Sequence, residues 1–303
     1  MSRVSRLIRC AEPLNKAVML DMPLGAALGT RVEGCGPWRP GAARQLELGE
    51  QSITPPGKLL CCVPPPPAVM CVGLNYRKHA AEAGLPEPHW PVVFYKNPSA
   101  VCGPGDDIVI PSVASEPAEV DYECELAVVI GARPARNVSK EDALNYVLGY
   151  TAANDVSARR WQGKKGGSQW SRSKSFDTFC PLGPALLVAH PSVNPDALAI
   201  STRLNGVTVQ ESSTSDMIFD VASIVSFLSQ STTLLPGTVI LTGTPEGVGF
   251  TRDPPLFLQP GDVVEVEVEG VGVLSNRVVA ETSSAEEGPR QVWSHAEGKM
   301  IEP

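Results

Sequence analysis

The sequence predicts an α+β fold that is predominantly β. Strand-like segments crowd the chain from Val69 onward, helical patterns are few, and 29 prolines and 27 glycines supply many turns. The strands do not alternate regularly with helices, which disfavours a doubly wound parallel sheet. At 303 residues the chain can bury a substantial core.

In chain order, MSRVSRLIRC reads as a first strand, with Val4, Arg6 and Ile8 alternating with Leu7 and Arg9. Gly-rich pieces follow, up to the stiff punctuation Pro64–Pro67. Residues 1–63 are therefore read as a small N-terminal domain, 64–67 as a linker, 68–281 as the main domain and 282–303 as a tail. Within the main domain, VMCVGL, VVFYK, DIVIP, CELAVVIG, ALLVA, LAISTRLNG, VILTG and DVVEVEVEG read as strands. Helical spacing is expected at Tyr76–Ala83, Lys140–Leu148 and Ser215–Leu228, the second opened by Ser139 and Asp142 at capping-box spacing. After Thr282 the pattern is lost.

Composition narrows the function. A net charge of −8 argues against a nucleic-acid partner, whose footprint would be basic. No apolar run approaches the roughly 18–20 residues that cross a bilayer, so no membrane partner is expected. The N-terminus has three arginines but no apolar core of a secretory signal. A first strand is favoured there over a mitochondrial presequence, so a cytoplasmic location is expected, with mitochondria as the alternative. The eight cysteines form no C-x-x-C and lie largely in apolar segments, which fits small hydrophobes in a reducing compartment.

The chemistry centres on DYECELAVVIG, residues 121–131. In a strand, Glu123 and Glu125 share one face, and that face continues into Ala127 and Val129. Two like charges entering a core require a counter-charge. The segment DVVEVEVEG is the internal contrast: Glu265, Glu267 and Glu269 alternate with valines and read as a solvated face. Glu119 and Asp121 share the parity of the acidic pair but stand farther from the apolar run, and they are left out of the site. Asp155 follows the strand-like Tyr150–Ala153; it reads either as a turn cap or as a third ligand. Three carboxylates without Cys or His indicate a hard cation, Mg²⁺ first, then Mn²⁺ or Ca²⁺.

His79 and Glu82 stand at i, i+3, where a carboxylate can orient an imidazole as a general base. Lys174 can serve as a cationic clamp on an anionic substrate or be an ordinary solvated lysine. The glycine-rich LTGTPEGVG either offers backbone N–H groups and Thr244 to a ligand or is a tight turn; it lacks the ending of a P-loop. His89, His190 and His295 are assigned no role.

Six blocks in order, GLNYRKHAAE, DYECELAVVIG, YTAANDVSARRWQ, KSFDTFCPLGP, NGVTVQESSTSDMIF and LLPGTVILTGTPEGVG, make residues 68–280 resemble the fumarylacetoacetate hydrolase family. The resemblance implies a mixed β-sandwich roll with a Mg²⁺ or Mn²⁺ site in a homodimer, and residues 1–63 resemble the small extra domain of some members. It implies Glu123, Glu125 and Asp155 as metal ligands, His79 and Glu82 as a catalytic dyad, and Lys174 as the active-site lysine. Thr244 falls on the substrate-loop threonine, Arg159 and Gln162 on further substrate-binding positions, and residues 84–91 on a mobile lid. One departure is Asn97 between Lys96 and Pro98, where many relatives read K-P-S.

The expected activity is metal-dependent cleavage of a C–C bond in a small anionic 2-oxo or 1,3-dicarbonyl acid through an enolate. Hydrolysis of acylpyruvates ranks first because the dyad can activate water. Oxaloacetate decarboxylation or tautomerisation, or isomerisation of an oxo-diacid, ranks second; a non-catalytic ligand-binding member ranks third.

Overall fold

The computed structural model describes residues 3–10, 17–23, 59–115, 117–282, 292–294 and 299–301. Two sheets face each other. The large sheet has ten strands, eight of which run in the order Ala17–Pro23, Arg3–Cys10, Cys180–Val188, Val147–Asn154, Cys124–Ile130, Val239–Leu241, Val69–Gly73 and Val92–Lys96. It is mixed, because Val239–Leu241 runs parallel to Val69–Gly73 and antiparallel to Cys124–Ile130. The second sheet orders Val207–Ser213, Ala199–Leu204, Val263–Val268, Gly272–Ala280 and Ile108–Ile110. The expected β-rich fold, a mixed β-sandwich roll, is what these sheets form.

The central strand Cys124–Ile130 is buried along its whole length. Cys124, Leu126, Val128 and Ile130 pack between the sheets with Ile200, Val266, Val268 and Leu274. Ala127 and Val129 face the other way, against Cys71, Leu182 and Val239. A strand buried on both faces must be continuously apolar, and the face shared by Glu125, Ala127 and Val129 leads the acidic pair inward. By contrast, Val264, Val266 and Val268 point inward while Glu265 and Glu267 pair with Arg203 at 3.1 and 2.7 Å, as expected of a solvated face.

Two helical expectations are corrected. Lys140–Leu148 is not an α-helix: it makes a short 3₁₀ turn at Ala143–Tyr146 and then enters the strand Val147–Asn154. Ser139 Oγ does accept from the Asp142 N–H at 3.2 Å. The cap forms, but pairing on both edges with Cys124–Ile130 and Cys180–Val188 outweighs the local preference. The third helix spans Val221–Ser229 rather than starting at Ser215. Asn75 accounts for the late start, holding the Ile218 and Phe219 backbone at 2.7–3.1 Å in a non-helical path. Asp220 then caps the helix through the Ser223 N–H at 2.7 Å, and Val221, Ile224, Val225 and Leu228 bury one stripe. The helix at Tyr76–Ala83 forms over Arg77–Glu82.

Two of the longer strands of the main domain escape the sequence pattern. Val207–Ser213 is reached through the Asn205–Gly206 turn, both residues having positive φ (53° and 79°), as a type I′ hairpin requires. Gly272–Ala280 buries Asn276 among its apolar positions, which conceals the alternation; its side-chain amide donates to the Gly103 and Asp106 carbonyls. Arg3–Cys10 joins the large sheet through Arg6↔Leu187 and Leu7↔Leu186. Most of residues 1–58, on which the expected N-terminal domain rests, lies outside the described residues. So does most of the expected tail, apart from the paired strands Val292–Ser294 and Lys299–Ile301. Among the described residues, no helix is long and apolar enough to cross a membrane.

Candidate metal centre and active-site cleft

Sheet register brings the three carboxylates together. Asn154 pairs with Cys124 and Ala153 with Glu125, so Asp155, the next residue, emerges beside the acidic pair. The Asp155 N–H donates to the Glu123 carbonyl at 2.9 Å, and Asn154 Oδ1 accepts from the Glu123 N–H at 3.0 Å. One carboxylate oxygen from each of Glu123, Glu125 and Asp155 lies within 4.8 Å of the others, and all three residues are buried.

Cations surround this cluster unevenly. Lys174 Nζ donates to Glu123 at 2.8 Å, to Asp155 at 2.6 Å and to Ser157 Oγ at 2.7 Å. Its three N–H bonds are thus all engaged, and it reaches a substrate by its charge or by exchanging a partner. Lys96, fully buried, donates to the other Asp155 oxygen at 2.5 Å and to the Val156 carbonyl at 3.2 Å. Arg159 reaches Glu123 at 2.6 Å and Asp121 at 2.8 Å.

Burial by itself raises the Glu123 carboxyl, but Lys174 and Arg159 outweigh it and hold the group at about 2. Glu125 is the opposite case. It accepts from the Gly243 N–H at 2.6 Å and has no ion pair among the described residues. Burial, then Asp155 and Glu123, push its carboxyl well above the usual range. Four buried carboxylates, counting Asp121, face two buried lysines and the nearly buried guanidinium of Arg159. The excess sits at Glu125, in an all-oxygen donor set, and these residues fit a hard divalent cation.

The dyad forms as spaced. His79 Nδ1 lies 3.1 Å from Glu82 Oε2, and Glu82 Oε1 accepts from the Gly247 N–H at 3.0 Å. An Nδ1–H directed at the carboxylate leaves Nε2 as the basic nitrogen. Thr244 comes from the turn after Val239–Leu241, where Gly243 adopts φ 98° and any Cβ would meet Asn75. Arg159 Nη1 donates to Gln162 Oε1 at 2.8 Å, and the guanidinium stacks 4.3 Å over the Phe250 ring. Its Nε donates to Asp121 Oδ2 at 2.8 Å, and the buried Nη2 lies 2.8 Å from the same oxygen.

One cleft of about 460 Å³ is lined by His79, Glu123, Glu125, Arg159, Gln162, Lys174 and Thr244. Asp155 lies behind this lining, tied to Lys174, and Glu82 stands behind His79.

Sequence reasoning left out three groups. Asp121 is fully buried, accepts from the Gly249 and Phe250 N–H groups at 2.8 and 3.0 Å, and anchors Arg159. Its parity with Glu123 was the available signal. Lys96 ends a strand in the stretch where relatives read K-P-S, but nothing in its spacing ties it to Asp155. Gln210 accepts from the Cys124 N–H at 3.0 Å and donates to Thr244 Oγ1 at 2.9 Å, so it ties the acidic strand to the substrate loop.

The profile of the fumarylacetoacetate hydrolase C-terminal domain matches residues 68–279. The mitochondrial oxaloacetate tautomerase fahd2 of Xenopus laevis is 48% identical over 221 residues, 73% of this chain and 68% of that protein. A fumarylacetoacetate hydrolase structure from Exiguobacterium antarcticum is 34% identical with a TM-score of 0.73, covering 91% of this chain and 100% of the other. A 2-hydroxyhepta-2,4-diene-1,7-dioate isomerase structure from Mycobacterium marinum is 36% identical with a TM-score of 0.69, covering 93% and 100%. These matches extend over most of the chain, and the profile spans every residue of the cleft: the chain belongs to the fumarylacetoacetate hydrolase family of enzymes.

Proposed function

We propose that this enzyme interconverts the enol and keto forms of a small 2-oxo acid of the oxaloacetate type, rather than hydrolysing acylpyruvates. The observation that carries the reading is the buried Glu123–Glu125–Asp155 cluster, facing a cleft that also holds Arg159 and an oriented His79. The tautomerase and isomerase names of the relatives favour it over hydrolysis.

The ranking of hydrolysis first rested on the dyad as an activator of water. A base that deprotonates water equally deprotonates the carbon next to a ketone, so the dyad does not discriminate. In this proposal Glu123, Glu125 and Asp155 hold a Mg²⁺ or Mn²⁺ ion, which when bound supplies Lewis-acid polarisation of the 2-oxo group. Arg159, which lines the cleft, draws the substrate carboxylate by its charge, with Gln162 fixing the guanidinium and Thr244 closing the other side. His79 Nε2 removes the C3 proton and returns a proton to the enol oxygen, while Glu82 keeps the ring oriented. Lys174 and Lys96 stabilise negative charge at the cleft floor. A homodimer belongs to the same proposal. So does a mitochondrial rather than cytoplasmic location, which the name of the Xenopus relative supports.

The test follows the decay of enol-oxaloacetate absorbance and the cleavage of acetylpyruvate in parallel, with Mg²⁺ and with EDTA, against enzyme-free controls. Metal-dependent acceleration of the enol decay is expected. Rapid cleavage of acetylpyruvate with no effect on the enol would overturn the proposal.

A further inference from the structure

We propose that Gln210 is a positioning residue for the reaction: it turns the Thr244 hydroxyl into a donor committed to an oxygen of the bound 2-oxo acid. This deepens the reading above, in which Thr244 closes one side of the substrate site, and rests on it.

Gln210 reaches the site through a break in strand alternation. Val207–Ser213 pairs with Ala199–Leu204 through Arg203↔Thr208 and Thr202↔Gln210, which leaves Val209 as the extra residue of a bulge. Val209 and Gln210 are therefore buried one after the other. The loop that carries Thr244 rides directly on this bulge: a Cβ at Gly247 would come within 2.4 Å of the Val209 carbonyl oxygen.

The Gln210 amide can take only one orientation. Its Oε1 accepts from the Cys124 N–H at 3.0 Å and from the Thr202 hydroxyl at 2.8 Å. Its Nε2 donates to Thr244 Oγ1 at 2.9 Å and to the Pro245 carbonyl at 3.1 Å. A backbone N–H can only donate and a carbonyl can only accept, so Cys124 at one end and Pro245 at the other settle which atom is the oxygen. Both amide hydrogens and both oxygen lone pairs are then engaged. At 2% exposure, a flipped amide would find no water to replace the partners it lost.

The consequence falls on Thr244. Its oxygen already accepts from Gln210, so its own hydrogen must point away from the amide. The Cys124 thiol stands beside this hydroxyl but is a weak acceptor. Thr244 also lines the cleft, together with Glu125 and Lys174. An anionic substrate oxygen there is a much stronger acceptor than a thiol, and it takes the hydrogen. A side chain that accepted from Thr244, instead of donating to it, would consume that hydrogen and turn a lone pair toward the substrate.

The test measures calorimetric affinity for oxalate, an unreactive dianion, on the full chain in Mg²⁺ buffer. Thr244→Val, Gln210→Met and the double variant are compared with the parent. Thr244→Val is expected to weaken binding about tenfold or more, the usual loss for a hydrogen bond to a charged group. Gln210→Met, which lets the hydroxyl turn freely, is expected to lose about twofold to tenfold. The double variant is expected to bind like Thr244→Val alone, because Gln210 acts through that hydroxyl. Multiplied losses in the double variant, or parent-like binding by a folded Gln210→Met protein, overturn the inference. Gln210→Met is also expected to keep the Mg²⁺-induced rise in melting temperature; its loss would place the action of Gln210 at the metal ligands, through Cys124, and would overturn the inference too. Where Gln210→Met does not fold, Thr244→Ser, which keeps the hydroxyl, is expected to bind like the parent. A Val variant as tight as the parent, or a Ser variant as weak as Val, then overturns it. Each of these results, with a parent that binds oxalate, sinks this inference alone. A parent that does not bind oxalate sinks the substrate-site reading with it.

Discussion

Replacing Glu125 by Gln separates a metal ligand from a merely structural acid. In the metal-free protein Glu125 is the carboxylate in excess, within 4.8 Å of Glu123 and Asp155 oxygens and without an ion pair among the described residues. Ionising Glu125 beside a second carboxylate at that distance would cost about 3 kcal/mol at an effective dielectric near 20, which, after burial, helps hold its carboxyl well above the usual range. Glutamine keeps the shape and can still accept from the Gly243 N–H. The variant without metal should therefore be at least as stable as the parent. With metal the order reverses. A cation at about 100 times its dissociation constant stabilises the native state by about 2.7 kcal/mol. For a chain of this size each kcal/mol moves the melting temperature by roughly 2–4 °C, so the parent should gain about 5–10 °C. Differential scanning calorimetry with Mg²⁺ and with EDTA reads both effects. A parent that gains nothing from Mg²⁺ or Mn²⁺, or a Gln variant that keeps the full gain, would refute the assignment of Glu125 as a ligand.

Three further outcomes are expected. His79→Gln should lower the rate of enol–keto interconversion by about 10²–10⁴-fold while preserving the Mg²⁺-induced rise in melting temperature; loss of both would make His79 structural. Asp220→Ala removes the cap on Val221–Ser229 and should cost about 1 kcal/mol in urea unfolding at neutral pH. Burial opposes the Asp220 charge, but Lys140 at 2.6 Å and Ser223 outweigh it and lower its carboxyl in the folded state. The carboxylate's contribution is therefore present above the unfolded pKa and lost as pH falls through the folded one, so the difference between parent and variant should shrink in acid. Leu126→Ala, at a position with no exposure between the two sheets, should cost about 2–5 kcal/mol by the same assay; a cost below 1 kcal/mol would contradict the packing.

Much of the site was legible because its signals are local. The alternation of Glu123 and Glu125 into a doubly apolar run states which face is buried, and the Glu265–Glu267 strand shows what the same alternation means when only one face is apolar. The i, i+3 spacing of His79 and Glu82 determines their contact once a helical turn exists. Asp121, Lys96 and Gln210 were not legible in this way. Asp121 precedes the apolar run, and its burial depends on the distant Gly249–Phe250 backbone and Arg159. Lys96 is buried because Asp155 waits 59 residues away. The Lys140–Leu148 segment has a helical period and a working cap, yet two neighbouring strands recruit its end.

By itself, then, the sequence determined a β-rich fold, the identity of the acidic cluster and its need for a counter-charge, because periodicity and like-charge repulsion are properties of neighbouring residues. Only the tertiary structure decided how that charge is shared. Lys174, Lys96 and Arg159 satisfy Glu123 and Asp155 and leave Glu125 without an ion pair among the described residues, an outcome set by which strands lie side by side. The lining of the cleft is likewise assembled from separate strands, short helices and loops. What the cleft selects is thus a property of the fold as a whole.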